Sequence, residues 1–436
     1  MLCFRKSFII ICLPAVFLTM LGSAFTAVNA ATWMPHAIEE ALGFAVQPIL
    51  TSNMNNLDKT DKFVVDFSEA SQNEDAKLGI VELIYKYGFP VEKHGVETED
   101  GYELTIFRIP RNGPPVFLMH GLLGSADDFV VAGRESALAY MLYDAGYDVW
   151  MGNARGNKHS RKHTIFEPSE AEFWDFSWHE IGTYDLPAMI DYVLNKTDEK
   201  SLKYIGHSQG TTSFFVMTSE RPEYNKKVSI MVALSPIVYM SNVRSPIVRL
   251  MSPGTNIMHG ISKGLGIYEL PDNNLIRTLK FMVCGTGTVA EILCSSAVFL
   301  VSGFDFAQLN VTNLPIILGH IPSGASIKQF VHYGQAVLSK EFRKFDYGVE
   351  ENLMRYSQKV PPKYRLENVS TNVSMFYGES DWLAHPIDVV TLFKRLKNVV
   401  GFFKVPYEHF NHVDFIIAKD VKELLYSKVL RELHKY

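Results

Sequence analysis

The sequence predicts an α/β protein in which helices cover a mostly parallel, doubly wound sheet, with a mainly helical segment inserted between two of the strands. Short apolar runs of strand length alternate with helical stretches up to residue 237. The alternation stops over 238–366, where the chain is apolar, helical and rich in loops, and it resumes over 367–436. A third observation is a serine in a glycine-flanked turn between a predicted strand and a predicted helix.

Each predicted element follows from a local pattern. The strands are apolar runs bounded by glycine, proline, serine or asparagine. Those before the insertion lie at 102–109, 115–119, 147–150, 202–205 and 228–234. Helices are predicted at 186–194, where Pro187 suits the first turn, and from 211 to 217. After the insertion we expect a strand at 373–377, a helix at 386–396, a strand at 402–405 and a final helix from 420.

The turn Gly206-His207-Ser208-Gln209-Gly210 has the G-x-S-x-G pattern of the nucleophile elbow of α/β-hydrolases. Strand, turn and helix follow in the order that this elbow requires. Glycine on both sides lets the backbone take a strained turn and keeps side chains away from an approaching acyl group. We therefore predict that Ser208 is a nucleophile. The alternative is a surface turn whose serine has no function.

A serine hydroxyl needs an imidazole to take its proton, and the imidazole needs a carboxylate to fix its tautomer. In this fold the acid and then the histidine follow the serine along the chain, each after the end of a strand. Asp381, which follows the strand 373–377 and a short turn, fits the acid. Glu379 and Asp388 compete with it, although Asp388 should lie inside the next helix, in a solvated surface position.

Two histidines, His409 and His412, follow the last predicted strand, and spacing alone does not choose between them. His207 adjoins the serine, and neighbours on such a turn point apart. His120 follows an earlier strand and is expected to shape the loop after it.

That loop, 120–124, has the position from which this fold contributes one N–H group to an oxyanion hole. The N–H of Gln209, directly after the nucleophile, is expected to contribute the other. The alternative is an ordinary glycine turn after a strand.

Composition narrows the classes of function. The chain has 436 residues, of which 47% are hydrophobic, enough for a large core with an inserted subdomain. Its 42 Lys and Arg nearly balance its 47 Asp and Glu, so nothing indicates a nucleic-acid partner.

The N-terminus has the composition of a signal peptide over residues 1–30, with Arg5 and Lys6 ahead of an apolar stretch. Residues 31–72 are interpreted as a leader or a propeptide, and no other apolar span is long enough to cross a bilayer. Of the four cysteines, Cys284 and Cys294 remain in the mature chain and are expected to pair in an oxidising compartment. The predicted glycosylation sites are Asn195, Asn310, Asn368 and Asn372.

Several longer motifs resemble one family, the acid lipases that include gastric and lysosomal acid lipase. They are VETEDGY at 96–102, LMHGLLGS at 118–125, AGYDVW at 145–150 with GNARGN at 152–157, and FSWHEIG at 176–182 with YDLPA at 184–188. The resemblance runs from about residue 91 to the C-terminus. It implies an α/β-hydrolase fold with a cap at 238–366 and a disulfide at Cys284–Cys294.

The resemblance also implies roles for individual residues. It favours His412, in Asn411-His412-Val413-Asp414-Phe415, over His409, and it assigns the acid to Asp381. It assigns the oxyanion donors to Leu122 and Gln209. Two positions depart from the family pattern: His385 replaces an aspartate near the acid, and Ser302 replaces a cysteine. Neither is expected to change the triad.

Together these observations predict a secreted or lysosomal serine lipase that hydrolyses neutral-lipid esters through an acyl-enzyme. We expect no metal and no organic cofactor, and a monomeric protein. The alternatives are a catalytically weak lipid-binding or storage protein on the same fold, and an esterase of short-chain substrates. The long apolar insertion favours long acyl chains, because each buried methylene contributes about 0.8 kcal/mol.

Overall fold

The computed structural model describes residues 74–270, 301–310 and 313–436. The predicted signal peptide and leader, and the predicted Cys284–Cys294 disulfide, lie outside these residues. All the described residues belong to one compact unit.

The strands that build the large sheet agree closely with the apolar runs of the sequence. Three predicted strands, 102–109, 115–119 and 228–234, have the expected bounds, and the others shift by a few residues. The strands of this sheet are β1 (Glu92–Glu97), β2 (Tyr102–Ile109), β3 (Pro115–Met119), β4 (Asp148–Met151), β5 (Lys162–His163), β6 (Leu202–His207), β7 (Val228–Leu234), β10 (Asn372–Tyr377) and β11 (Val399–Lys404). The remaining two, β8 (Glu269–Leu270) and β9 (Ala325–Ser326), pair with each other in the insertion.

The sheet has the order β1-β2-β4-β3-β6-β7-β10-β11, with β5 paired to β2. The pairs from β4 through β11 are parallel, whereas β1, β2 and β5 pair in antiparallel fashion. The sheet is therefore mostly parallel, as predicted. In the register His207 lies beside Leu234, and Leu234 lies beside Phe376. The carboxyl ends of β6, β7 and β10 are consequently neighbours, although their residues are far apart in the chain.

The core lies on both faces of this sheet. In β3, Phe117 and Met119 pack into one hydrophobic cluster, while Val116 and Leu118 pack into the other. Successive side chains of a strand point to opposite faces, so a strand that is covered on both sides is apolar at every position. This explains why β3 was visible in the sequence as a continuous apolar run.

The helices flank the sheet and fill the insertion. Apart from the short helix Trp178–Glu180, those of the described residues are, in chain order, α1 (Ile80–Lys86), α2 (Leu138–Asp144), α3 (Leu186–Thr197), α4 (Gln209–Glu220), α5 (Pro246–Met251), α6 (Thr255–Gly264), α7 (Leu314–His320), α8 (Ile327–Ser339), α9 (Val349–Tyr356), α10 (Pro386–Arg395), α11 (Asp414–Ile417) and α12 (Ser427–Leu433). α3 has a proline in its first turn and follows a π-helical turn, Ile181–Asp185. The C-terminal helix begins with a second π-helical turn, Lys422–Tyr426, two residues later than predicted.

Between β7 and β10 the described residues form α5 to α9 and the short pair β8–β9, and none of them adds a strand to the large sheet. α8 anchors this insertion to the rest of the protein. The His332 ring stacks on Trp178 at 3.6 Å between centroids, and the Tyr333 hydroxyl lies 3.1 Å from Thr212 Oγ1 on α4. The mainly helical character agrees with the expected cap, whose boundaries at 238 and 366 stay a prediction.

Candidate active site

Ser208 occupies a sharp turn between β6 and α4. Its φ of 51° and ψ of −118° place it among the few non-glycine residues with positive φ, and its side chain does not cap the helix. The flanking glycines are required by close packing. A Cβ on Gly206 would lie 2.8 Å from the carbonyl carbon of Gly210, and a Cβ on Gly210 would clash with the carbonyl oxygen of Met119. The turn therefore projects the serine hydroxyl away from β6 and leaves it free for other contacts.

Ser208, His412 and Asp381 form a continuous chain of contacts at the carboxyl end of the sheet. Ser208 Oγ lies 2.8 Å from His412 Nε2. His412 Nδ1 lies 3.1 and 3.0 Å from the two carboxylate oxygens of Asp381. Because a carboxylate only accepts, Nδ1 carries the proton and Nε2 is left to accept one from the serine. All three residues are buried, with 6% or less of each exposed.

Asp381 is held in its ionised form. Its Oδ1 accepts hydrogen bonds from the N–H groups of Leu383 and Ala384, at 2.9 and 2.8 Å. Burial by itself raises the pKa of this carboxyl, but the facing His412, the hydroxyl of Ser235 and the Ala384 N–H outweigh burial and hold the pKa below its usual value. The carboxylate therefore remains charged and can fix the tautomer of the histidine.

Ser235 is a member of this cluster that the sequence reasoning missed. It follows β7 directly, and its hydroxyl lies 2.5 Å from Asp381 Oδ2 and 2.6 Å from His412 Nδ1. One signal could have found it: a serine at the end of β7, which the sheet places between the strand of Ser208 and the strand that leads to Asp381.

Leu122 and Gln209, the predicted oxyanion donors, belong to two segments that meet at Ser208. Gln209 is the first residue of α4, where N–H groups have no acceptor within the helix. The loop of Leu122 runs against the elbow, since a Cβ on Gly121 would lie only 3.0 Å from Ser208 Cβ. In the part of the chain that the structure describes, neither backbone N–H is donated to a protein acceptor. Both groups are therefore available to a ligand oxygen.

The insertion holds this loop in position. The Ser323 N–H donates to the Leu123 carbonyl at 2.8 Å, and the Ser323 hydroxyl lies 3.1 Å from Ser125 Oγ. His320 Nδ1 lies 2.6 Å from Asp127 just beyond. On the other side, Gln329 of α8 accepts a hydrogen bond of 2.7 Å from the Gln209 side-chain amide.

The other histidines near the site have structural contacts. His120 joins its own loop to the next one, since its Nε2 accepts a 3.1 Å hydrogen bond from the Ala154 N–H, and burial lowers its pKa to about 4. His207 points away from the serine and lies 3.1 Å from the His412 carbonyl oxygen; burial lowers its pKa to about 3. His409 is exposed and lies beside Tyr407.

Neither competing acid contacts the histidine. Glu379 pairs with Lys404 at 3.2 Å, and about half of its side chain is exposed. Asp388 lies in α10 as predicted, but its expected solvated position is wrong. It is buried and accepts hydrogen bonds from the backbone N–H and side-chain amide of Asn242 at 2.8 and 2.7 Å. A partner from the insertion covers it, which local sequence does not reveal.

The two departures from the family pattern leave the contacts among Ser208, His412 and Asp381 in place. His385 is the N-cap of α10, where its Nδ1 accepts a hydrogen bond of 3.3 Å from the Ile387 N–H. Ser302 contributes its carbonyl oxygen, which accepts hydrogen bonds of 3.3 Å from the N–H groups of His412 and Trp382.

The predicted glycosylation sites differ in their surroundings. Asn195 is exposed near the end of α3. The side-chain amides of Asn368 and Asn372 donate to the carbonyls of Ser219 and Ser229. Asn310 is half-buried, and the rest of its acceptor sequence lies outside the described residues.

No metal-binding cluster and no membrane span occur in the described portion of the chain. Within 74–270, 301–310 and 313–436, no three His, Cys, Asp or Glu side chains converge in a way that could hold a metal ion. In the same ranges, no helix has both the length and the apolar character that crossing a membrane requires.

The strand order and the elbow at the end of β6 define an α/β-hydrolase. The family described as "alpha/beta hydrolase fold" matches residues 114–253, and the family described as "Partial alpha/beta-hydrolase lipase region" matches residues 80–133. A solved structure, a putative lipase from Sulfolobus solfataricus, is similar with a TM-score of 0.53 at 13% identity. The similarity covers 79% of this chain and 93% of that one.

Proteins with similar sequences narrow the class of hydrolase to which the chain belongs. Lipase 1 of Drosophila melanogaster is 45% identical over 83% of this chain and 81% of its own length. Gastric triacylglycerol lipase of Rattus norvegicus is 37% identical over 82% of this chain and 92% of its own. Lysosomal acid lipase/cholesteryl ester hydrolase of Homo sapiens is 37% identical over 83% and 92%. The chain belongs to the acid lipase family and is a carboxylic ester hydrolase.

Proposed function

We propose that this protein is a serine lipase that hydrolyses neutral-lipid esters, triacylglycerols or sterol esters, through an acyl-enzyme. The observation that carries the proposal is the contact chain from Ser208 Oγ through His412 to Asp381, with a separation of 2.8 Å at the nucleophile. The names of the rat and human relatives, which include a triacylglycerol lipase and a cholesteryl ester hydrolase, support the substrate class.

In the acylation step Ser208 Oγ attacks the ester carbonyl while His412 Nε2 takes the hydroxyl proton. The imidazolium that forms faces the Asp381 carboxylate through Nδ1–H, so its positive charge is stabilised without solvent. His412 then gives the proton to the leaving alcohol. Deacylation repeats the cycle with water, which His412 activates in the same way.

The negative charge of the tetrahedral intermediate develops on the former carbonyl oxygen. The free N–H groups of Leu122 and Gln209 are the donors that we assign to it. Removing one such donor in other hydrolases costs about 2.7–4 kcal/mol of transition-state stabilisation. These donors are backbone groups, so the contribution depends on loop position and not on the side chains of these two residues.

The surface of the insertion supports a lipid–water interface as the place of action. Ile257, Ile261 and Leu265 follow a spacing of four residues along α6 and its end, and each is more than half exposed. From residue 242 to residue 268 the sequence contains two arginines and one lysine, Arg244, Arg249 and Lys263, but no aspartate or glutamate. An apolar ridge with positive charge and no negative charge suits a lipid surface.

The proposal also includes a secretory destination, outside the cell or in the lysosome. The composition of residues 1–30 and the gastric and lysosomal relatives support it. Because Ser208 and His412 are buried, a substrate chain must first gain access to them. A moving cap would provide that access.

The decisive experiment is titration of the purified enzyme with a serine-directed phosphonate, together with hydrolysis of an emulsified long-chain ester. We expect stoichiometric labelling of the wild type and none of Ser208→Ala, with activity lower by several powers of ten. Ser213→Ala is a matched control, because Ser213 is a buried serine of the same helix whose hydroxyl has no partner. Absence of labelling in the folded wild type would favour a lipid carrier.

A second pair of variants tests the base. His412→Ala should lose activity as Ser208→Ala does, whereas His409→Ala should retain most of it. Specificity constants from acetate to oleate esters then separate a lipase from a short-chain esterase. A maximum at acetate that emulsified substrate does not change would contradict the lipase assignment.

A further inference from the structure

Ser235 lies at the centre of the strand ends that carry the proposed triad. The sheet order puts β7 between β6, which leads to Ser208, and β10, which leads to Asp381. Backbone hydrogen bonds fix the junction: the Ser235 N–H donates to the Phe376 carbonyl at 2.9 Å, and the Ser208 N–H donates to the Leu234 carbonyl at 3.1 Å. The position of Ser235 relative to both neighbours is therefore set by the sheet itself.

The hydroxyl of Ser235 contacts both the acid and the base. It lies 2.5 Å from Asp381 Oδ2 and 2.6 Å from His412 Nδ1, and the residue is fully buried. An ionised carboxylate has no proton, so the Ser235 O–H donates to Asp381, and a lone pair of Oγ faces the Nδ1–H of His412. One hydroxyl thus stabilises both the negative charge of the acid and the N–H of the base.

The backbone at Ser235 indicates that this side chain has a role. Its φ is +52°, in the left-handed region where a side chain is unfavourable and glycine is not. Glycine would adopt this φ without strain, but it would lack the hydroxyl that contacts Asp381 and His412.

We propose that Ser235 is a positioning residue of the hydrolytic site, which holds Asp381 and His412 in register through one shared hydroxyl. This inference rests on the proposed function, in which Asp381 and His412 act together. Ser235 does not reach the substrate side of the imidazole, because it contacts Nδ1 while Ser208 contacts Nε2. Its loss should therefore lower kcat and leave KM unchanged.

The test is Ser235→Gly, which removes the hydroxyl and suits the positive φ. A hydrogen bond to a charged group contributes about 1.5–3 kcal/mol, so we expect kcat to fall by about tenfold or more. The thermal midpoint should fall only slightly, because relief of the positive φ offsets part of the lost hydrogen-bond energy. Ser357→Gly is the matched control, because Ser357 also has a positive φ, of 58°, but is exposed at the end of α9. It should leave kcat unchanged.

A double-mutant cycle separates positioning from a structural role. If Ser235 acts through Asp381, the Ser235→Gly change should cost much less in an Asp381→Ala background than in the wild type. An equal loss in both backgrounds, or an unchanged kcat in Ser235→Gly, would overturn the inference. Failure of the proposed function is distinguishable, since the wild type would then show neither hydrolysis nor phosphonate labelling, or Asp381→Ala would itself retain full activity.

Discussion

Replacing Arg155 by methionine should destabilise the protein strongly, and the loss should depend on pH. Arg155 is almost fully buried, and its guanidinium makes two hydrogen bonds with Asp100, at 2.6 and 2.8 Å. Its Nε donates to Asp185 at 2.7 Å, and its plane lies 3.9 Å from the centre of the Tyr102 ring. Asp185 is fully buried. The substitution would therefore leave a buried carboxylate without its charged partner.

Breaking one partner of a buried ion pair costs about 3–5 kcal/mol, and that is the expected loss in the free energy of unfolding near pH 7. Burial raises the pKa of Asp185 to about 6 even though Arg155 opposes it. Without Arg155 the pKa must rise further. A folded-state pKa raised above the unfolded value gives stability that is present at low pH and lost as the pH rises. Above pH 6 the variant should therefore lose about 1.4 kcal/mol more per pH unit than the wild type.

Urea denaturation at pH 5, 6, 7 and 8 measures this difference. Asp100→Asn is the matched control, because the Asp100 side chain is 30% exposed and its loss leaves the pair of Arg155 with Asp185 intact. It should cost clearly less than the arginine substitution. A destabilisation of Arg155→Met that is the same at every pH, or no larger than that of the control, would refute the electrostatic reasoning.

Two further predictions concern stability and the lipid surface. Asp414 and Asp305 are buried neighbours: burial raises the pKa of both, and Asp305 raises the pKa of Asp414 further, so wild-type stability should fall as the pH rises above about 4. Asp414→Asn should flatten this fall, and parallel urea midpoints of variant and wild type at pH 5 and pH 8 would contradict it. Ile257→Ser with Ile261→Ser should reduce hydrolysis of emulsified ester severalfold while a soluble short ester is cleaved as before. Tyr85→Ser, at an equally exposed position outside the insertion, serves as the control, and an equal loss with both substrates would exclude a docking role.

The sequence predicted strands well where the burial of successive residues follows a simple continuous or alternating pattern. β2, β3 and β7 were predicted with their observed bounds, because strands covered on both faces or on one face give continuous or alternating apolar runs. β1 was missed, since most of its positions are half-buried or exposed and its sequence is mainly polar. β11 was placed three residues late, because its first residue, Val399, follows a bend and its pairing with β10 shifts in register directly after Val399.

The contacts of the site could not be predicted from the sequence where the partner residues come from distant segments of the chain. Asp388 was expected to be exposed to solvent, because its place in a helix does not reveal its partner. That partner is Asn242, which lies in another part of the chain and donates a hydrogen bond to it. Spacing could not separate His409 from His412, since the difference is the direction that the loop takes after β11. Ser235 carried no motif at all. Its place became apparent only from the sheet order, which brings three strand ends together.

The parallel pairing of β7 with β10 also governs when the site can exist. β10 begins 138 residues after the end of β7, and His412 comes later still. Until that late strand joins the sheet, neither the proposed acid nor the proposed base is beside Ser208, and closing so long a loop must precede the contacts that stabilise it. In the proposed mechanism, a growing chain therefore carries Ser208 over the next 204 residues, up to His412, without the means to activate it. Competence to hydrolyse an ester would then arise only when the segment that carries Asp381 and His412 has joined the sheet.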